Sequence, residues 1–551
     1  MDAALARLRE GATAFARLPL SQRVSLARSM RDGYARIASG SVEAACAAKG
    51  IRQGTPAAGE EWLSGPVVTL THLRQWLQTL RSIARSGTTP MGRIGETIDG
   101  RPRVQAYPRS ALDRAVSPSL SAEVHLQAGA RVEERARFYR EEHPDGRVVL
   151  VLGAGNVNAI PPLDVATKLF NEGKVCVLKM HPVNAYLGPL LEEAFRDAIR
   201  QRFLAVVYGG AEEGAYLAFH RDVDEVHLTG SERTYDALVF GPPGPDQDRR
   251  KALRRPLLDK PVTSELGNVS PVIVVPGRYS DRQLRWQADH IAGGVTNNAS
   301  FNCNANKLIV TGRSWSQGRE LLSGIEAVLS ETPVRRAYYP GAADRFSSLV
   351  AGHPGAILLG ARGKEGLPWT ILPDLDPRSE EEAAFRTEPF CSVLSQTSLE
   401  AGDAEAFLAE AVRFVNERVW GTLSATVVIS PQSLRDPLTA RALERALVDL
   451  RYGTVAVNLW AGWGFGIGTP WGGHPSSAPP EIQSGHGFVH NTGMLEGVEK
   501  TVLRHPITSF PKPVTSASHR TLHQIGPPLT ALQAGGDWLR LPQLLAAALR
   551  G

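Results

Sequence analysis

Arg147-Val-Val-Leu-Val-Leu-Gly-Ala-Gly-Asn156 is a short apolar run closed by glycines, and helical periodicity follows it through Phe170. A run of this length without polar alternation reads as a strand buried on both faces. The glycines supply the tight turn through which such a strand enters a helix. The pattern repeats downstream, with strands expected at Val148 to Leu152, Val175 to Met180, Ala205 to Tyr208, Glu225 to Leu228 and Val272 to Val275. Strands alternating with helices point to a parallel, doubly wound sheet. An ordinary dinucleotide fingerprint is absent: Gly153-Ala-Gly155 runs on to Asn158 where a third glycine belongs, and the next strand ends in Lys179 with no acid nearby. At 551 residues the chain exceeds the ~250–300 at which single cores stop growing, so a second large unit is expected. From Arg282 to about Gly473 the sequence reads as that second α/β unit, with strands at Leu308 to Val310 and Thr426 to Ile429.

Of the four cysteines, Cys46 falls on an amphipathic helical pattern, Cys176 in the strand-like Val175-Cys-Val-Leu178 and Cys391 beside Phe390, all places where Cys acts as a small core hydrophobe. Cys303 differs. It sits in the polar Asn297-Asn-Ala-Ser-Phe-Asn-Cys-Asn-Ala-Asn-Lys307, where a thiol can meet solvent. A thiol nucleophile needs its thiolate held by local positive charge or a helix N-terminus, and a base for turnover. Glu265, in Pro261-Val-Thr-Ser-Glu-Leu-Gly-Asn-Val-Ser-Pro271 with a chain reversal at Gly267, is the candidate base. Taken singly, an idle loop thiol and a solvated turn carboxylate explain the same residues.

These segments in order carry a resemblance. Asn156 precedes Lys179 by 23 positions; Leu228-Thr-Gly-Ser231, Glu265-Leu-Gly267, Cys303, Glu388-Pro-Phe390 and Pro470-Trp-Gly-Gly473 follow. From about Val148 to Val502 the chain resembles the aldehyde dehydrogenase superfamily. The resemblance implies two Rossmann-like α/β domains, cofactor-binding and catalytic, with a small bridging, oligomerisation β arm. It implies that Cys303 attacks an aldehyde to give a thiohemiacetal, that the Asn156 amide and the Cys303 backbone N–H hold the oxyanion, and that Glu265 activates the water that hydrolyses the thioester. Lys179, Gly230, Ser231, Gly267, Glu388 and Phe390 fall where the family contacts its nicotinamide cofactor, Glu388 at the ribose and Phe390 near the ring. The Cys303 neighbourhood Ser300-Phe-Asn-Cys303 departs from the family's Gly-Gln-x-Cys, Asn268 replaces its second glycine, and Tyr235 stands where a small residue usually lets the pyrophosphate approach. Glu265 and Cys303 are 38 positions apart, slightly more than usual.

NAD-preferring relatives often carry a Glu three residues after the ribose-binding Lys, and here that residue is Pro182. Without that repulsion, and with Lys179 and His181 to attract a 2′-phosphate, NADP or dual use with NAD is expected. The aromatics Trp460, Trp463, Phe465 and Trp471 border the family's substrate tunnel, which suits a bulky, apolar or aromatic aldehyde; core packing of the same residues is the alternative. An acyl-CoA or acyl-phosphate reductase needs no water-activating carboxylate, so Glu265 favours the hydrolytic dehydrogenase. An inactive relative is the third alternative.

The cofactor domain is expected over 1–281, helical to about residue 90, with its sheet over 147–275. A bridging strand is expected at about 129–145, where Arg131 to Glu142 leads into the turn Pro144-Asp-Gly146. Its partner is expected within 496–510, at Val498 to His505. The catalytic domain is expected over 282–475, and 511–551 extends past the family's usual end, an expected oligomer contact in a homodimer or homotetramer.

Composition narrows the partners. The net charge of +5 is spread over 61 Lys and Arg against 56 acids, and Arg249-Arg-Lys-Ala-Leu-Arg-Arg255 reads as a solvated helix face, so no nucleic-acid partner is expected. No apolar run reaches the ~18–20 residues that cross a bilayer, and the N-terminal Asp2 and Glu10 do not fit a signal peptide. Widely spaced cysteines suit a reducing, cytoplasmic setting, and Ala, Arg and Gly richness looks like bacterial coding bias. His474, His486 and His490 have no carboxylate at metal-binding spacing, so no metal is expected.

Overall fold

The chain was analysed as a computed structural model, which describes residues 1–360 and 365–551. Its N-terminal part is helical, as expected: α1 (Asp2–Ala16), α2 (Leu20–Lys49), α3 (Pro56–Trp62) and α4 (Val68–Ser86). Gly50 ends α2 in the left-handed conformation that suits glycine, and the Thr55 hydroxyl caps α3 with Pro56 at its first position. Along α4, Leu70, Leu73, Trp76, Leu77 and Leu80 recur at three- and four-residue spacing and are buried. Between α3 and α4 the segment Leu63–Val67 is wound as a π-helix with Pro66 inside it. Such a wider turn turns side chains off the register of the flanking helices.

The segment after Gly87 holds β1 (Ile94–Glu96), β2 (Pro102–Tyr107) and β3 (Ser121–Leu126). Next come β4 (Val148–Leu152), β5 (Val175–Lys179), β6 (Leu204–Val207), β7 (Glu225–Gly230) and β8 (Val262–Leu266), an all-parallel sheet in the order β6-β5-β4-β7-β8. Every residue of β4 and β5 is buried, which is why these strands show no polar alternation. Strand order reverses at β4, so the crevice beyond its carboxyl end is the topological switch point.

The remaining strands are β9 (Ser270–Val274), β10 (Asn306–Gly312), β11 (Ile357–Leu359), β12 (Trp369–Leu375), β13 (Val393–Leu399), β14 (Ser424–Val428), β15 (Thr454–Val457) and β16 (Val498–Arg504). With β1–β3 they form one eleven-stranded sheet in the order β1-β2-β3-β16-β15-β14-β9-β10-β13-β12-β11. Its middle, from β16 to β12, is parallel and packed on both faces: Ile273, Leu308 and Val310 point into one core, Val272, Val274 and Ile309 into the other.

Several expectations are corrected. The strand expected at Val272 to Val275 is β9, which leaves the cofactor sheet and sits between β14 and β10; the fifth strand of the smaller sheet is β8, so Glu265 lies on a strand rather than in a turn. The segment 129–145 forms no bridging strand: it carries turns, the short 3-10 helix Arg137–Arg140 and a single bridge, Arg135 to Leu495. The antiparallel partner of Val498–Arg504 is β3, from the stretch 93–127 that sequence patterning left unassigned. The Pro- and Gly-rich segment from Gly241 runs into the helix Pro245–Ala252. Residues 511–551 fold back on their own chain. The helix Leu522–Gly535 crosses α3 so closely that a Cβ on Gly59 would overlap Leu522, and one on Gly526 would overlap Trp62. Among the described residues no helix is long and apolar enough to cross a membrane.

Candidate active site

Asn156, Glu265 and Cys303 line a single cavity of about 370 Å³ between the two sheets. Asn156 follows β4 at the switch point, Glu265 is near the carboxyl end of β8, and Cys303 lies on the loop that enters β10. That loop is sharply shaped: Asn298, Ala299 and Ser300 are three consecutive residues in the left-handed region, unfavourable for side-chain-bearing residues. Strain of this kind persists only where the surroundings fix it. Here the Asn156 side-chain Nδ2 and the Asn298 Nδ2 both donate to the Phe301 carbonyl, at 2.9 and 3.0 Å, and the Lys307 ammonium donates to Ser300 Oγ at 2.7 Å and the Cys391 carbonyl at 2.6 Å.

Cys303 is half-buried and packs near Leu423, Trp471 and Val489. Its polar sequence neighbours Asn298, Asn302 and Asn304 are buried, the first two in side-chain hydrogen bonds, so the loop is not the open, solvated one its composition suggests. Burial pushes the thiol well above its ordinary pKa, and the charges of Glu265 and Glu388 push it further; the cation or helix N-terminus expected to hold a thiolate is not what surrounds it. Glu265 is 2% exposed, and neither of its carboxylate oxygens has a hydrogen-bond partner among the described residues. Burial raises its pKa to about 8, with the adjoining Cys303 thiol pulling the other way and the charge of Asp164 adding to the rise. The charge of Glu265 raises the thiol's affinity for its proton while the thiol lowers that of the carboxyl, so the two groups titrate as a linked pair.

Glu388 stands so close to Gly267 that a Cβ there would overlap its Oε2, and its Oε1 accepts from the Asn268 backbone N–H at 3.2 Å. Burial lifts Glu388 to about 7, opposed by that N–H and by Lys307. Asn268, in place of a glycine, ties β8 to β14 through Ser270 Oγ and the Ser424 carbonyl. Phe390 takes a positive φ of 40° and packs on Phe301 and Tyr339, at ring separations of 5.7 and 4.9 Å. Arg345 holds this turn by donating to the Pro389 and Phe390 carbonyls.

Across the crevice, Lys179 ends β5; its ammonium makes no hydrogen bond or ion pair among the described residues, and Glu213 is the acid that offsets its burial. Gly230 is exposed with only Leu228 near its missing Cβ, and Ser231, at the carboxyl end of β7, caps the helix Glu232–Phe240. A free ammonium, an open glycine and a helix N-terminus fit the ribose and pyrophosphate of a dinucleotide. Tyr235 is buried in the core beneath that helix and does not obstruct it. His181 behaves differently from expectation. Its ring lies over Gly155 and against Tyr339, its Nδ1 accepts from the Val183 N–H, and burial lowers it to about 4, so it is neutral and brings no charge to a 2′-phosphate.

No family model matches the chain. Over 306 residues it is 26% identical to the peroxisomal aminoaldehyde dehydrogenase 1 of Pisum sativum, covering 52% of this chain and 53% of that one. Over 114 residues it is 32% identical to the 4-trimethylaminobutyraldehyde dehydrogenase of Bos taurus, 20% of each. The matched stretch thus spans about half the length of the first curated relative or less. Solved structures match over nearly the whole chain. The NADP-dependent glyceraldehyde-3-phosphate dehydrogenase of Bacillus halodurans, complexed with NADP, superposes with a TM-score of 0.61 at 19% identity, covering 91% of this chain and 90% of that one. The NAD-dependent aldehyde dehydrogenase of Sinorhizobium meliloti gives 0.60 at 21%, covering 91% and 86%. The chain has the aldehyde dehydrogenase fold.

Within that fold, a supporting network escaped the sequence reading. Lys49 Nζ, buried at the end of α2, bonds both carboxylate oxygens of Glu61 (2.9 and 3.0 Å), the Asn156 backbone carbonyl (3.2 Å) and Asn298 Oδ1 (2.9 Å). The Tyr338 hydroxyl donates to Asn298 Oδ1 at 2.9 Å, and Glu60, paired with Arg335, accepts from the Asn298 N–H. One cluster therefore fixes Asn156 and the Cys303 loop together. Lys307, fully buried and lowered to about 8, braces the same loop from behind. His490 and Asp164, 3.1 Å apart, are buried together with Thr229 and His227, which gives His490 a core role. His474 pairs with Glu499.

Proposed function

We propose that the chain oxidises an aldehyde to a carboxylic acid with NAD or NADP. The observation that carries this reading is the meeting of Cys303, Glu265 and Asn156 in one cavity, beside a crevice suited to a dinucleotide. The thiol of Cys303 adds to the aldehyde carbon as its proton passes to the Glu265 carboxylate, which makes a thiohemiacetal oxyanion. Asn156 has one Nδ2 hydrogen engaged by the Phe301 carbonyl and the other available to that oxyanion, with the Cys303 backbone N–H as second donor. Preorganised donors of this kind contribute strongly because they need no reorientation as charge develops. Lys179, Gly230, Ser231 and Glu388 hold the cofactor, which when bound supplies the acceptor for the hydride the aldehyde carbon gives up. Glu265 passes that first proton to solvent, takes another from water as that water attacks the thioester, and returns it to the departing sulfur, so that Cys303 leaves as the thiol.

An unpaired, deeply buried carboxylate costs stability, and its position beside Cys303 supports the hydrolytic reading over a reductase that needs no such base. Replacing Cys303 by Ala tests the reading: turnover of every aldehyde should vanish while cofactor affinity stays within a few-fold. A Cys303→Ala enzyme keeping more than about a tenth of its turnover would remove the thiol from the reaction.

A further inference from the structure

The cavity that begins at Cys303 does not end within the two sheets. It runs past Phe465 and Ile467, between Val67 on the π-turn and Val116, and is walled on its far side by Leu529, Leu544 and Ala548 from the last two long helices, Leu522–Gly535 and Leu541–Leu549. Those helices are anchored, not draped. Leu532, Leu544 and Ala547 share a core with Val67 and Leu112, Gly59 lets the backbone at Leu522 approach closely, and Gly526 makes room for the Trp62 side chain. The mouth is apolar too, since Phe510 and Leu545 line the cavity and are exposed.

The acids Asp113 and Glu60 on this path are paired. Asp113 pairs with Arg74 at 2.8 Å and accepts from the Arg109 and Ser110 N–H groups; Glu60 pairs with Arg335. Among the described lining residues the one Lys or Arg is Lys512, whose ammonium donates to Ser518 Oγ at 2.9 Å. A charged aldehyde would lose hydration on entry, and the lining cation a phosphate would meet, Lys512, lies two residues from the exposed Phe510.

We propose that the segment 510–551 completes a tail-binding site, so that the substrate is an aldehyde with an extended unbranched alkyl chain, its carbonyl at Cys303 and its far carbons against Leu529, Leu544 and Ala548. This rests on the oxidation reading and names its substrate class. Each methylene taken from water contributes ~0.8 kcal/mol, about fourfold in kcat/KM.

The test is a series of straight-chain aldehydes from butanal to dodecanal, alongside a phosphorylated and a quaternary-ammonium aldehyde. The expected result is kcat/KM rising about fourfold per added carbon until the cavity is full. Ala548→Trp should lower kcat/KM for decanal roughly tenfold more than for butanal and move the peak to shorter chains. In parallel, decanoate should raise the melting temperature of the unaltered protein and slow alkylation of Cys303, and butyrate should do neither. A flat chain-length profile, or preference for the charged aldehydes, overturns the proposal. If no aldehyde of any length is oxidised, the oxidation reading fails; the tail site then stands if decanoate protects Cys303 and falls if it does not.

Discussion

The Asn156 side-chain amide lies 2.9 Å from the carbonyl of Phe301, two residues before Cys303, so one hydrogen bond sets the proposed oxyanion donor and the nucleophile's loop in a common frame. Asn156→Ala should therefore cost on the order of 10²- to 10³-fold in kcat, as loss of one oxyanion donor does. Its effect on stability should be near the ~1 kcal/mol of one buried hydrogen bond. Steady-state kinetics with a melting curve checks both. A loss below tenfold would place the amide away from the reacting oxygen.

Glu265 gives a pH signature. With its pKa raised to about 8 by burial, kcat/KM should climb with pH through about 8, and Glu265→Gln should flatten that limb. Stability should move oppositely. An unfolded Glu ionises near 4.5 while the folded one stays protonated to about 8, so the stability held below pH 4.5 is lost as pH rises across that window, by up to ~1.4 kcal/mol per unit. Glu265→Gln removes this loss. Its melting temperature should overtake that of the parent between pH 5 and 8 and hold a constant lead above, whereas an equal response of both proteins to pH would show Glu265 to be ionised throughout.

In the proposed cofactor site Lys179 is the cation assigned to the adenosine ribose, with His181 lowered by burial and Pro182 carrying no acid. NADP should bind at least as tightly as NAD. Pro182→Glu should weaken NADP about tenfold or more relative to NAD, the scale of a charge-assisted contact of ~1.5–3 kcal/mol. Fluorescence titration of both cofactors decides it, and an unchanged ratio would put residue 182 away from the ribose.

Lys49 and Glu61 form a buried ion pair, at 2.9 Å, that also carries Asn156 and Asn298. Lys49→Met strands the Glu61 carboxylate and should cost ~3–5 kcal/mol in urea unfolding. Adding Glu61→Leu should recover part of that, because the uncompensated charge goes with it. Turnover should fall in both, since Asn156 and Asn298 lose their shared donor; turnover unchanged in the double variant would limit the pair to stability.

In the smaller sheet β4 and β5 were legible because they are buried along their whole length and run with almost no polar residue, whereas β8, Val262-Thr-Ser-Glu-Leu266, carries polar residues and was passed over for β9. The larger sheet was less legible. β9 reads like the four cofactor strands before it, and nothing in Pro271-Val-Ile-Val-Val275 tells which sheet its hydrogen bonds join. β2 and β3 show mixed burial, and the β16 partner of β3 is remote in sequence, which local patterning does not reach. The charge of His181 and the solvent around Cys303 were misread for one reason: composition reports which groups a segment carries, and the fold decides how deeply they sit. Lys49, Glu61 and Lys307 look like ordinary surface charges in the sequence, and only their burial distinguishes them.

The pairing of β3 with β16 has a kinetic meaning. Leu126 lies against Val498, so this ladder closes a loop of 372 residues, whereas β4 and β5 meet across a single helix. Loop closure over that distance has to wait until the intervening strands have condensed, and non-local pairings of this kind slow folding. During refolding, amide protons of β4 and β5 should become protected early and those of β3 late. The hydrogen-bonded seam between Ser121–Leu126 and Val498–Arg504 is thus the last stitch of assembly, and until it is made the edge of β16 is open to any other strand that reaches it first.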